Sequence, residues 1–101
     1  MTQQLFFRNA LGEILREERL AQGLSMRVVS KQAFISLGFL SEVETGKKEI
    51  ASEFLNQVIT AGLGLEPSEI IMRTAIRMAG LDVPDTAESL MNRIDEYADL
   101  R

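Results

Sequence analysis

The stretch SMRVVSKQAFISLGFLSEVETGKK, residues 25–48, is two short amphipathic segments with almost nothing between them. Ser25 is placed to cap a helix, its hydroxyl accepting from an otherwise unbonded first-turn amide. Val28, Val29 and Ala33 recur at helical spacing and give the first segment one apolar face. Ser36 opens the second segment in the same way, with Phe39, Leu40 and Val43 inward. Phe34 and Ile35 are left for the turn, and Ile35 is expected to wedge the two helices at a fixed angle as a core residue. Glu44, Thr45 and Gly46 close the second helix, Gly46 being suited to the left-handed position after a helix end. Two serine caps and a minimal linker predict a helix-turn-helix.

Working outward, a helix is expected upstream from about Asn9 to Gln22, capped by Asn9 and ended by Gly23. Its inward residues are Leu11, Ile14, Leu15 and Leu20. Glu13, Arg16, Glu17 and Arg19 form the outer face, where mixed charge predicts a solvated surface with weak mutual support. Downstream, the loop 45–50 carries Lys47 and Lys48. A fourth helix follows over about Ala51–Ala61, with Phe54, Leu55, Val58 and Ile59 as its buried stripe and Gly62 and Gly64 at its end. Glu66-Pro67-Ser68-Glu69 is a helix start with proline in the first turn. The fifth helix then runs to Met78, with Ile70, Ile71, Thr74, Ala75 and Met78 suited to packing on the fourth. Gly80 and Pro84 bracket a break. Beyond it, Ala87, Leu90, Met91, Ile94, Tyr97 and Ala98 share one stripe of a last helix capped by Asp85 or Thr86. The expected fold is all-α: a five-helix domain with an N-terminal extension over residues 1–80, and an additional amphipathic helix within 81–101. That helix needs a surface for its stripe, either on its own domain or on a second chain; pairing is favoured, which makes it the expected dimerisation element, with Leu90, Met91, Ile94 and Tyr97 at the interface.

The 101 residues suffice for one domain, and an apolar fraction of 46% suffices for a small core. With no cysteine and no histidine, the chain lacks thiolate ligands, the commonest metal ligand and the commonest general base. The pairs Glu17-Glu18 and Glu42/Glu44 are scattered on helix surfaces, with no nucleophile–base set. No enzyme, cofactor or metal site is expected. No apolar run approaches the ~20 residues that span a bilayer. The N-terminus lacks the pattern of a signal peptide, so a cytoplasmic protein with no membrane partner is expected. The net charge of −4 hides an asymmetry. Residues 1–48 hold seven cationic against five acidic side chains, and residues 49–101 carry the remaining excess of six acids. Local potential matters more than the sum for attracting a polyanion.

Residues 11–71, LGEILREERLAQGLSMRVVSKQAFISLGFLSEVETGKKEIASEFLNQVITAGLGLEPSEII, resemble the lambda-repressor-like Cro/C1 (xenobiotic-response-element) helix-turn-helix domains. The resemblance rests on the Arg19–Ser25 entry RLAQGLS, on LSEVETGKK at the end of the third helix, and on the late LGLEPSEI. Within that family, SLGFLSEVETGKKEIASEFL is similar to the actinobacterial Clp gene regulators, transcriptional activators of Clp protease genes. Three positions depart from the family pattern. Met26 replaces a glutamine that helps hold a phosphate, Phe34 replaces the turn glycine, and Ile50 replaces a proline after the basic loop. The exchange at Phe34 is expected to open or reshape the turn.

The resemblance implies a sequence-specific regulator that binds double-stranded DNA as a homodimer on a pseudo-palindromic site, with the third helix in the major groove. The activator role adds RNA polymerase as a candidate contact, and the protein would be associated with the bacterial nucleoid. Leu37, Gly38, Ser41 and Glu42 match the family's base-facing positions. There Glu42 can accept from a cytosine amino group, Ser41 can donate or accept, and Leu37 can touch a thymine methyl. Arg16, Arg27, Ser36, Lys47 and Lys48 are the expected phosphate contacts. Arg19 and Glu44 match a pair that bridges the first helix to the end of the third. The competing expectation is an antitoxin-like or scaffold module using the same helices without DNA, supported by the acidic C-terminal half. On that view the outer residues of the third helix are a solvated helix start and the lysines a wet loop.

Overall fold

The computed structural model describes residues 6–80; the C-terminal stripe with its interface candidates Leu90, Met91, Ile94 and Tyr97 lies outside the described residues. Each of the five expected helices is present: α1 (Phe7–Ala21), α2 (Met26–Ala33), α3 (Leu37–Glu44), α4 (Ser52–Gln57) and α5 (Pro67–Met78). No strand occurs among the described residues. The serine caps form as the sequence predicts. Ser25 Oγ accepts from the Val28 amide and Ser36 Oγ from the Phe39 amide, each at 3.1 Å.

Leu11, Ile14 and Leu15 of α1 meet Val29 and Ala33 of α2, Leu40 and Val43 of α3, and Leu55, Val58, Ile59, Leu63 and Ile70 in one buried cluster. Ile35 packs on that cluster from the turn, half-buried, as does Ile50 in place of the family's proline. Burial of each large aliphatic side chain contributes about 1.5–3 kcal/mol, and this is what holds helices of eight residues that would not persist alone. Helix α1 is the axis of the packing, lying against both α3 and α5, while α2 lies against α3 and the end of α4.

Several expectations need correction. Asn9 is not the cap of α1: the helix begins two residues earlier, from an extended Phe6 that supplies no side-chain bond. The carboxamide of Asn9 instead covers Gly46, where an added Cβ would lie 2.3 Å from Nδ2. Leu20 and Phe54, expected inward, are exposed. So are Val28 of α2 and Ile71, Ala75 and Met78 of α5, because α5 buries its Ile70–Thr74 edge and turns the next stripe out. Helix α4 does not run to Ala61 as regular α-helix. After Gln57 it widens into a π-helical turn, Val58–Gly62. That turn buries Val58 and Ile59 together and sets Gly62 against α2, where a Cβ would lie 2.9 Å from Val29 Cγ1.

The turn between α2 and α3 is not opened by Phe34. The Ile35 amide reaches back to the Ser30 carbonyl at 3.1 Å and the Phe34 amide to Lys31 at 3.3 Å. This is the Schellman pattern, with Phe34 at φ 57° and ψ 40° in the left-handed position where a glycine is usual. The turn keeps the geometry that a glycine ordinarily supplies, with a phenylalanine held in it.

Candidate nucleic-acid interface

Helix α3 is aimed by contacts on its inner side and leaves its N-terminal edge open. Gly12 of α1 touches the last turn of α3 so closely that a Cβ would lie 2.4 Å from the Val43 carbonyl oxygen and 2.6 Å from that of Glu44. Those atoms are backbone and cannot swing away, so only glycine permits this approach. Beside it, Arg19 Nε and Nη2 donate to the two carboxylate oxygens of Glu44 at 2.7 and 2.9 Å. Arg19 Nη1 donates to the Leu24 carbonyl at 2.9 Å, tying in the loop before α2. The two side chains are only 9% and 4% exposed. The Glu44 hydrogen bonds raise the Arg19 guanidinium above its ordinary value, against the opposing effect of burial. Arg19 and Glu44 thus form the bridge expected from the sequence.

At the open end, Leu37 and Gly38 are exposed and Ser41 and Glu42 are half-buried. A Cβ on Gly38 would meet nothing within 4 Å, so this side of α3 faces free space. Ser36 caps the helix with its oxygen and keeps its hydroxyl proton available for an outside acceptor. Alongside the positive end of α3, this is an arrangement suited to a phosphate. Glu42 is not idle in the unbound chain: Lys48 Nζ lies 3.4 Å from its carboxylate, both ends being well exposed. A surface pair of this kind contributes ~0–1 kcal/mol and is readily exchanged for another partner.

Arg16, Arg27, Lys31 and Lys47 are exposed and have no acidic partner among the described residues. The acids of α1 are neutralised elsewhere. Arg77 of α5 bonds Glu17 through both terminal nitrogens and Glu13 at 3.1 Å. Arg73 donates to Glu18 at 2.6 Å and to Glu69 at 2.8 Å. Of the outer residues of α1, Glu13 and Glu17 are therefore tied to α5 and Arg19 is buried against Glu44, and only Arg16 is loosely solvated as expected. The consequence for the site is electrostatic, since α5 cancels the carboxylates of α1 and leaves Arg16 unopposed.

The chain superimposes on the clp gene regulator ClgR from Corynebacterium glutamicum with a TM-score of 0.73 at 32% identity, covering 95% of this chain and 97% of that one. The chain belongs to the ClgR-like helix-turn-helix family. Over 72 residues it is 44% identical to transcriptional regulator ClgR of Mycobacterium tuberculosis, a match covering 71% of the chain. That match spans 63% of the length of the mycobacterial relative. A third likeness is to the restriction-modification controller protein C.AhdI of Aeromonas hydrophila, with 28% identity, TM-score 0.60, and coverage of 62% of this chain and 94% of that one. No protein-family model matches. These relatives are regulators, in agreement with the non-enzymatic expectation.

In this ClgR-like chain, three structural contributors are not apparent from the sequence. Gly12 sits in an unremarkable helical run, and nothing local marks it as the point where two backbones meet. Arg73 and Arg77 were visible only as charges. A cleft of about 230 Å³ beside Lys48, lined by Phe7, Leu11, Val43 and Ile50 among others, is smaller than the ~300–1,000 Å³ usual for small-molecule sites. No described helix is long and apolar enough to cross a membrane.

Proposed function

We propose that this chain is a DNA-binding transcriptional regulator that acts as a homodimer on a pseudo-palindromic operator. The observation that carries the reading is the exposed N-terminal edge of α3, held at its angle by Gly12 and the Arg19–Glu44 pair. Each subunit sets α3 in a major groove, with half-sites about one helical turn apart. Leu37, Gly38, Ser41 and Glu42 face the base edges. Arg16, Arg27, Ser36, Lys47 and Lys48 hold phosphates and fix register. On contact, Lys48 exchanges Glu42 for a phosphate and releases the carboxylate toward a cytosine amino group.

The relatives' names support the finer reading that the targets include Clp protease genes. Activation of those genes with RNA polymerase as a contact, pairing through Leu90, Met91, Ile94 and Tyr97, and nucleoid association complete the proposal. Domain 81–101 is then the dimerisation element and domain 1–80 the reader.

The test is fluorescence anisotropy on duplexes selected by unbiased enrichment, across a salt series. Lys47→Ala/Lys48→Ala should weaken binding to all duplexes and reduce the salt slope by about two counterion units. Glu42→Ala should change which sequences are preferred. Failure to enrich any duplex, with negligible binding at low salt, would reject the reading in favour of a protein-interaction module. The charge balance favours that second reading: residues 6–80 are neutral overall, nine cations against nine acids, so attraction to DNA depends on local placement alone.

A further inference from the structure

Three helix ends offer an internal comparison. α1 and α3 close in the same Schellman pattern as α2, with Gly23 at φ 71° and Gly46 at φ 74° in the left-handed position. Only α2 uses a residue with a side chain there, and that residue is Phe34, the one non-glycine with positive φ among the described residues. A bulky side chain in this region is disfavoured by contact between its Cβ and the local backbone. Packing gives nothing in return, because Phe34 is 85% exposed. The residue is therefore unfavourable twice over, in backbone conformation and in apolar surface shown to water, and no contact among the described residues offsets either. Strain kept at a site where glycine would make the same hydrogen bonds, and not offset by packing among the described residues, points to a functional use of the side chain.

That use is indicated by the neighbours. Two peptide units, at most about 7 Å of chain, separate Phe34 from Ser36, whose capped helix end is suited to a phosphate. One residue further, Leu37 is 40% exposed at the leading edge of α3. Arg27 and Lys31, exposed and without acidic partners among the described residues, precede the ring on α2. The ring is thus an exposed apolar point between two cation-bearing turns of α2 and the capped start of α3, a combination that suits the uncharged parts of a nucleic acid lying between its phosphates.

We propose that Phe34 is a DNA-contacting residue that packs its ring on apolar surface at the edge of the major groove, beside Leu37. The proposal rests on the reading of α3 as the groove-bound helix and deepens it. The apolar surface is either thymine C5-methyl or the carbon face of deoxyribose, and the two are separable.

The experiment uses the full chain and an enriched duplex, comparing wild type with Phe34→Gly and Phe34→Ala. Phe34→Gly relieves the left-handed strain and should raise Tm by about 2–5 °C. Both variants should nevertheless bind the duplex about tenfold more weakly. The slope of log affinity against log salt should not change, since no phosphate contact is lost. Replacing thymine by uracil along the site then assigns the partner. A wild-type affinity that falls at one step while the variants are indifferent identifies a methyl contact; indifference of all three identifies the sugar. Unchanged affinity in both variants, a flattened salt slope, or a lower Tm for Phe34→Gly would overturn the proposal. If wild type binds no duplex at all, the reading of α3 fails first, a result distinct from wild type binding as tightly as the two variants.

Discussion

Arg19 and Glu44 show how unequal the two ways of losing a buried ion pair are. With both side chains almost fully enclosed, removing one leaves the other charged and without its partner. Glu44→Ala should destabilise the fold by about 3–5 kcal/mol in urea denaturation, whereas Arg19→Met/Glu44→Leu together should cost much less. Glu17 makes a gentler case. Hydrogen bonds from Arg77 hold its carboxyl below the ordinary value of 4.5, with burial opposing. A lowered value means stability that is complete above the ordinary value and is lost as pH falls through the folded one. The carboxylate is more than half exposed, so the effect is small. The stability difference between wild type and Arg77→Ala should narrow as pH drops from about 5 toward 3, and urea titrations at several pH values would detect it.

Among the elements, α3 carries both a local and a long-range dependence. Ser36→Ala removes the cap that accepts from Phe39, and should cost about 1 kcal/mol of stability as well as weaken duplex binding. Gly12→Ala is the sharper test of geometry. The added methyl has no room against two carbonyl oxygens, so α1 and α3 must part. A loss of about 1–3 kcal/mol in urea denaturation is expected, with altered DNA preference even though Gly12 contacts no base. Helix identities and serine caps were legible because each is a local signal: a spacing, or one hydroxyl near one amide. The Arg19–Glu44 bridge, by contrast, was legible only through family resemblance. What was not legible depends on pairs distant in sequence. Nothing near Phe54 or Leu20 tells which side of an apolar stripe finds a neighbour. The π turn after Gln57 answers to α2, not to its own sequence. Phe34 looks like a threat to the turn because its own preference is the local signal, whereas the hydrogen bonds that keep the turn closed are made to Ser30 and Lys31.

For the whole molecule, charge is distributed rather than abundant. The described residues balance, and the chain's net −4 therefore resides in 81–101. A polyanion should be repelled by those acids and drawn to the cations left without acidic partners among the described residues, Arg16, Arg27, Lys31 and Lys47. Leu90→Asp/Ile94→Asp in the full chain should convert a dimer to a monomer in sedimentation velocity and lower affinity for paired half-sites far more than for a single one. Unchanged sedimentation would remove 81–101 from the proposed interface and place pairing elsewhere.

Gly12 also bears on how such a protein can acquire new targets. The tilt of α3 is set where its backbone rests on that of α1 at Val43 and Glu44, away from the residues proposed to face the bases, so aiming the helix does not fall to them. Residues 37, 38, 41 and 42 are in this sense replaceable type in a fixed press. Exchanging them as a set should rewrite the preferred operator while the half-site spacing stays as it was.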